Sequence, residues 1–322
     1  MDSPKPIDDQ KPADGAAEPE SAEAVPAQGD RLGPEPDRPE DFNLELSMAM
    51  AEIAESEPQQ PLEQSAVPTD GPPEPIISFD NVSISFGGRP VLEDVSFHVV
   101  RGQTLCILGR SGVGKSVSLR LLMGFLQPDT GSIRVEGQEI VGIGEEGMRA
   151  IRKRVTMVFQ NGALFDSLSV RENVSFALRE RGGLDEDQII QLADRLIDLV
   201  GANDVVDALP ASLSTGRKRA VAIARALAAQ PDVVLYDEPT TMVDPIIARR
   251  LGNLIQRLKY QLGFTSIVVT HDMRFAERLA DTVLFLHQGQ AHFFGPLSQF
   301  LASADPDVQQ FLSLDAYVLP SA

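Results

Sequence analysis

The chain has 322 residues, 43% of them hydrophobic, a net charge of −19 and a single cysteine. That apolar content can build the core of one large domain or two modest ones. A lone cysteine excludes an internal disulfide, and the excess of carboxylates argues against nucleic acid as a partner, because phosphate binding needs clustered Lys and Arg.

The acid is concentrated at the front. Residues 1–75 hold 19 acidic and four basic residues, together with 14 of the 23 prolines. Such a segment buries too little apolar surface to offset the entropy of ordering it, so residues 1–74 are predicted to form a disordered tail. One island, DFNLELSMAMAEIAE (Asp41–Glu55), has Asp41 at an N-cap position and Leu44, Met48 and Ala51 on one helical face. It reads as a short docking helix or as a transient helix with no partner. No run approaches the roughly 20 apolar residues of a membrane-spanning helix, and the first residues lack the basic start and apolar run of a signal peptide. The chain is expected to be soluble and to stay inside the cell.

From Ile76 the pattern changes. ISFDNVSISFGG and RPVLEDVSFHVV predict antiparallel strands joined at Gly87-Gly88. The strand TLCILG, in which Cys106 is expected as a buried thiol, runs into a glycine-rich loop and a helix from Lys115 to about Leu126. RVTMVF, DVVLYDE, SIVVTHD and DTVLFLHQG then alternate with helical segments, which predicts a mostly parallel α/β sheet. A mainly helical stretch, about 179–212, interrupts that alternation.

Two motifs carry chemistry. GRSGVGKS (Gly109–Ser116) fits G-x-x-x-x-G-K-[ST], and its glycines let backbone N–H groups close around a polyphosphate. Gly109, Arg110, Ser111, Gly112, Gly114 and Val117 are its binding candidates; Lys115 reaches the β and γ phosphates and Ser116 is placed to ligate Mg²⁺. In VVLYDEP (Val233–Pro239) two carboxylates end an apolar strand, where Asp237 suits magnesium held through water and Glu238 suits a general base for the attacking water.

With these motifs the chain resembles the ATPase subunit of an ABC (ATP-binding cassette) transporter over about residues 76–300. The resemblance implies ATP and Mg²⁺, and a P-loop NTPase cassette over residues 75–303: an antiparallel β subdomain, a RecA-like, mostly parallel core sheet and an inserted helical subdomain, followed by an extension, 304–322. It implies that Phe86 of SFGG stacks on adenine and that Gln160 of VFQNG contacts magnesium and the attacking water. It likewise implies that Asp244 of MVDP is the D-loop aspartate and that His271 of VVTHD senses the γ-phosphate. Two such chains sandwich two ATP molecules head to tail, and the signature loop of one caps the γ-phosphate held by the other. Here LSTGRKRAVAIARAL (Leu213–Leu227) keeps Leu213, Ser214 and Gly216 of the LSGGQ pattern, making Ser214 and Gly216 binding candidates. It departs at Thr215, where glycine is usual, at Arg217, where glutamine or methionine is usual, and at Ala220, where arginine is usual, with Arg219 one place earlier. Thr215 is expected to restrict backbone angles that glycine reaches freely; Arg217, pointing inward, would offset part of that loss with its charge.

RKRVTMVFQNGALFDSLSVRENVSFALRE (Arg152–Glu180), Asp244–Ile246 and ASADPDVQQFLS (Ala302–Ser313) are similar to the Mce-associated, Mla-type phospholipid-trafficking members of the family. That implies a homodimer on an integral-membrane permease, at the cytoplasmic face of a bacterial inner membrane, with an Mce-domain lipid-binding partner and no nucleic acid. Other readings stay open: the ATPase of an amino-acid or metal importer, and a regulatory subunit that no longer hydrolyses ATP. A soluble family member acting in translation or DNA repair would need tandem cassettes or a coiled-coil insertion, and the chain has one phosphate loop.

Overall fold

A computed structural model describes residues 74–316. The expected acidic tail up to residue 73, the expected helix within it and residues 317–322 lie outside the described residues.

Strands β1 (Pro75–Phe86) and β2 (Arg89–Val100) form the expected hairpin, turning at Gly87 and Gly88, whose φ values of 58° and 74° favour glycine. With β4 (Thr130–Val135) and β5 (Gln138–Glu139) they make a four-stranded antiparallel sheet, order β2-β1-β4-β5. Alternation along β1 buries Ile77, Phe79, Val82 and Ile84, and Phe79 stacks on Phe97 of β2 at 4.4 Å.

The second sheet has six strands in the order β10-β9-β3-β8-β7-β6. Five are parallel: β3 (Thr104–Leu108), β6 (Val155–Val158), β7 (Val233–Asp237), β8 (Thr265–Val269) and β9 (Thr282–His287), with β10 (Gln290–Pro296) antiparallel on one edge. Every residue of β3, β7 and β8 is buried, and apolar residues fill most of each strand, as expected of a sheet covered on both faces. Alternate residues feed two cores. Leu105, Ile107, Leu235 and Ile267 pack toward the antiparallel sheet, whereas Cys106, Leu108, Val234 and Tyr236 pack toward the helices. Cys106 is buried as expected, and burial pushes its thiol up to about 12.

Helix α1 (Lys115–Leu122) ends before the expected Leu126. Gly124 takes a left-handed φ of 67° and caps the helix, with the Phe125 amide donating back to Arg120 O at 2.9 Å, and a Cβ there would also stand 2.7 Å from the Met148 side chain. Met148 lies on α2 (Gly144–Arg154). The helical layer is α3 (Val170–Arg181), α4 (Glu186–Leu199) and α5 (Thr215–Ala228). Capping boxes start α3 (Ser169 with Glu172) and α4 (Asp185 with Gln188), and Val170, Val174 and Leu178 on one stripe of α3 are fully buried.

Helices α6 (Pro245–Leu262), α7 (Met273–Leu279) and α8 (Leu297–Leu301) follow. The last described helix, α9 (Pro306–Ala316), is capped by Asp305, whose Oδ1 accepts from the Asp307 and Val308 amides and lies 3.0 Å from His292 Nε2 on β10. No helix among the described residues is long and apolar enough to cross a membrane.

Candidate functional site

The loop after β3 and the ends of β7 and β8 meet around a cleft of about 290 Å³. Of the residues expected at the site, Ser111, Gly112, Gly114, Lys115, Ser116, Val117, Gln160, Glu238 and His271 line it. They come together because the parallel register puts the C-terminal ends of β3, β7 and β8 side by side, which is where an open α/β sheet binds ligands.

Lys115, at the start of α1, is only 5% exposed. Its ammonium donates to Gly109 O at 2.9 Å and Arg110 O at 3.2 Å and lies 3.3 Å from Glu238 Oε1. A buried cation held by loop carbonyls and one carboxylate is a ready partner for phosphate oxygens. Ser116 Oγ donates to Asp237 Oδ1 at 2.7 Å. Burial raises the Asp237 pKa against that hydrogen bond, so this hydroxyl and carboxylate are an all-oxygen donor pair whose charge a divalent cation would compensate.

Neighbouring strand residues normally face opposite ways. Asp237 closes β7 and Glu238 takes a left-handed φ of 47°, and the two carboxylates reach Ser116 and Lys115 side by side. A non-glycine residue held there is strained by about 1–3 kcal/mol, the pattern found at functional sites. The Glu238 carboxylate accepts from Thr241 Oγ1 at 2.9 Å and lies 2.9 Å from His271 Nδ1. Burial works to raise its pKa, yet the His271 hydrogen bond and the Lys115 charge hold it below the usual glutamate range. The hydrogen bond to Glu238 raises the His271 pKa in turn.

That pair makes a pH-dependent contribution to stability. His271 contributes fully below its ordinary pKa of 6.5, and the contribution is lost as pH rises through the raised folded value. Glu238 contributes fully above its ordinary 4.5, and its share is lost as pH falls through the lowered folded value. His271→Ala is therefore expected to lower the melting temperature most between these two pH values. Because the imidazole is half exposed, about 0.5 kcal/mol, or roughly 1–2 °C, is expected, shrinking above neutral pH. Thermal melts of both proteins across pH 4–9 check it; a difference that grows above pH 8 contradicts the pairing.

Two lining residues were not read from the sequence. Val91 of β2 is an ordinary apolar residue in an alternating strand and carries no signal; Thr241 stands three residues after Glu238, a spacing that brings its hydroxyl back to the carboxylate. Other expected residues stand away from the cleft lining. Phe86, 46% exposed, closes the β1–β2 hairpin opposite Arg89. Asp244 caps α6, accepting from the Ile246 amide at 2.8 Å, and Ser214 caps α5, accepting from the Arg217 amide.

The signature stretch differs from expectation at two points. Thr215 and Gly216 form the first turn of α5 and neither has a positive φ, so the backbone freedom of glycine is not used at Thr215 and the expected restriction is absent. Close approach fixes Gly216 instead, since a Cβ there would stand 2.3 Å from Ile247 Cγ2 on α6. Arg217 does not point inward as a free charge. It forks onto Asp204, with Nη1 to Oδ1 at 2.5 Å and Nη2 to Oδ2 at 2.9 Å, and donates to Gly201 O at 2.6 Å. A bidentate carboxylate and a carbonyl thus satisfy this guanidinium within its own chain.

Residues 92–241 match the family model described as ABC transporter. The intermembrane phospholipid transport system ATP-binding protein MlaF of Haemophilus influenzae is 36% identical over 237 residues, which cover 74% of this chain and 90% of that protein. The methionine import ATP-binding protein MetN of Brucella abortus is 38% identical over 236 residues, covering 73% of this chain and 64% of MetN. The chain thus spans less than two thirds of that relative. Among solved structures, the dimeric post-hydrolysis state of the cassette MJ0796 bound to ADP and Pi aligns with a TM-score of 0.64 and 27% identity, over 69% of this chain and 98% of that one.

Proposed function

The chain belongs to the ABC transporter ATP-binding cassettes, and from that premise we propose that it binds ATP with Mg²⁺ in the cleft described above and hydrolyses it to drive a membrane transporter. One observation carries this reading: Lys115, Glu238 and His271 form a linked set over the phosphate loop, with Ser116 and Asp237 in contact beside it. Lys115 exchanges its loop carbonyls for β- and γ-phosphate oxygens, within a loop whose Gly112, Gly114 and neighbouring amides hold the phosphates. Ser116, Asp237 and Gln160 would hold the Mg²⁺, which neutralises phosphate charge when bound. Glu238, kept ionised by His271 and Lys115, takes the proton of the attacking water, while His271 holds that carboxylate and meets the γ-phosphate.

Ser214, Gly216 and Asp244 lie outside the cleft lining because they serve the site of a second copy. The dimeric structure of MJ0796 supports a homodimer, and in this reading each α5 N-terminus, with its free amides, faces the partner's nucleotide. Phe86, at an exposed hairpin end, is the adenine platform.

The transported substrate is phospholipid. Arg152–Glu180, Asp244–Ile246 and Ala302–Ser313 support this over methionine, as does the coverage of nine tenths of MlaF against less than two thirds of MetN. The partners are then an integral-membrane permease and an Mce-domain lipid-binding protein, with this chain peripheral at the cytoplasmic face of the inner membrane. The test is co-purification of the tagged full chain from detergent-solubilised membranes, with partners identified by mass spectrometry. A permease with an Mce-domain protein is expected; a permease with a methionine-binding protein overturns the phospholipid assignment and leaves the ATPase reading standing. A non-hydrolysing regulatory subunit is the second reading, favoured by the diversion of Arg217 onto Asp204 within the signature stretch.

A further inference from the structure

Arg219 occupies the place before Ala220, one residue ahead of the arginine that the family pattern leads one to expect. It is 3% exposed, a degree of burial that arginine reaches only when well partnered. Its partners are three main-chain carbonyls. Nε donates to Gln160 O at 3.1 Å, Nη1 to Pro239 O at 2.5 Å and Nη2 to Thr241 O. Burial weakens its hold on the proton and the charge of Glu238 nearby strengthens it, but a guanidinium stays protonated throughout the working range.

Those carbonyls belong to the segments that run on from two neighbouring strands, β6 and β7, past their last ladder pair, Val158 with Tyr236. Gln160 follows β6 and lines the cleft; Pro239 and Thr241 follow Glu238, and Thr241 donates from its hydroxyl to the Glu238 carboxylate. A guanidinium is a rigid planar fork, so three bonds on one group fix the spacing of the two segments in a way that a single-point donor cannot. Taking the ATPase reading as given, we propose that Arg219 is a positioning residue: from the second turn of α5 it sets Gln160 and Glu238 against one another across the cleft. It acts through the main-chain carbonyls that it holds. It also ties the geometry of hydrolysis to the helix that Ser214 opens, the element that faces the second copy.

The experiment uses Arg219→Lys, which keeps charge at one point, and Arg219→Gln, which keeps a neutral donor, each in the wild-type and the Gln160→Ala background. Steady-state kcat and KM, the Kd of a non-hydrolysable ATP analogue and the melting temperature are read on all of them. In the wild-type background kcat is expected to fall about 10–100-fold, with KM and analogue Kd changed by less than about threefold, because misplacement of reacting groups costs rate and not binding. In the Gln160→Ala background the further loss is expected to shrink to about twofold or less, since the geometry that Arg219 protects is already broken. Equal losses in both backgrounds, or loss of analogue binding along with kcat, make Arg219 a residue of the fold alone and overturn the proposal. A wild-type chain with no turnover above Glu238→Gln overturns the ATPase reading and this role with it, and is seen before any Arg219 variant is measured.

Discussion

Lys115→Ala is expected to leave the site largely empty at nucleotide concentrations that just saturate the wild type. The ammonium is held inside the loop that opens α1, and it is already desolvated, so its bonds to phosphate form without a further burial cost. Loss of a charge-assisted contact to a doubly charged terminus removes about 3 kcal/mol or more, a rise in Kd of at least roughly 100-fold. Truncation also strips the donor from Gly109 O and Arg110 O and leaves Glu238 without its cation. The melting temperature of the apo variant is therefore read alongside its calorimetric Kd, to separate lost binding from lost folding. A folded variant with unchanged Kd contradicts the reading of the loop.

Glu238→Gln separates chemistry from binding. The amide keeps an acceptor for Thr241 and removes a negative charge that stands 3.3 Å from Lys115, so ATP is held at least as well as before. It cannot take a proton from water at neutral pH. Positioned general bases contribute about 100- to 10,000-fold, and turnover is expected to fall by that factor. With binding intact and hydrolysis stopped, two copies remain closed on ATP and elute as a dimer in size-exclusion chromatography. Hydrolysis at the wild-type rate removes Glu238 as the base.

What the sequence disclosed follows from how local each feature is. The phosphate loop is eight contiguous residues whose spacing is the mechanism, so Lys115 and Ser116 were legible at once. Strands β3, β7 and β8 were legible because both faces are covered and their residues are all apolar or tightly buried. The end of α1 was not, because Gly124 caps the helix in a left-handed turn while the apolar residues Phe125 and Leu126 carry its pattern onward. Nor was the direction of Arg217. Asp204 and the Gly201 carbonyl claim it from the loop before α5, and no pattern within the signature stretch announces that pairing. Thr215 misled for the opposite reason: a glycine in the family pattern suggested a need for unusual angles, whereas the position is an ordinary first turn of helix. The sequence showed only that Arg219 stands one place before Ala220, and the fold alone brings the three carbonyls it holds to one side chain.

Phosphate release by the full chain co-purified with its membrane partner, measured beside the Glu238→Gln complex under the same conditions, tests the proposed ATPase most directly. Wild-type turnover at least tenfold above that background is the expected result, since the linked Lys115–Glu238–His271 set is in place. Equal rates in the two complexes, with ATP bound to both, would contradict hydrolysis at this site and leave the chain as a nucleotide-binding regulatory subunit.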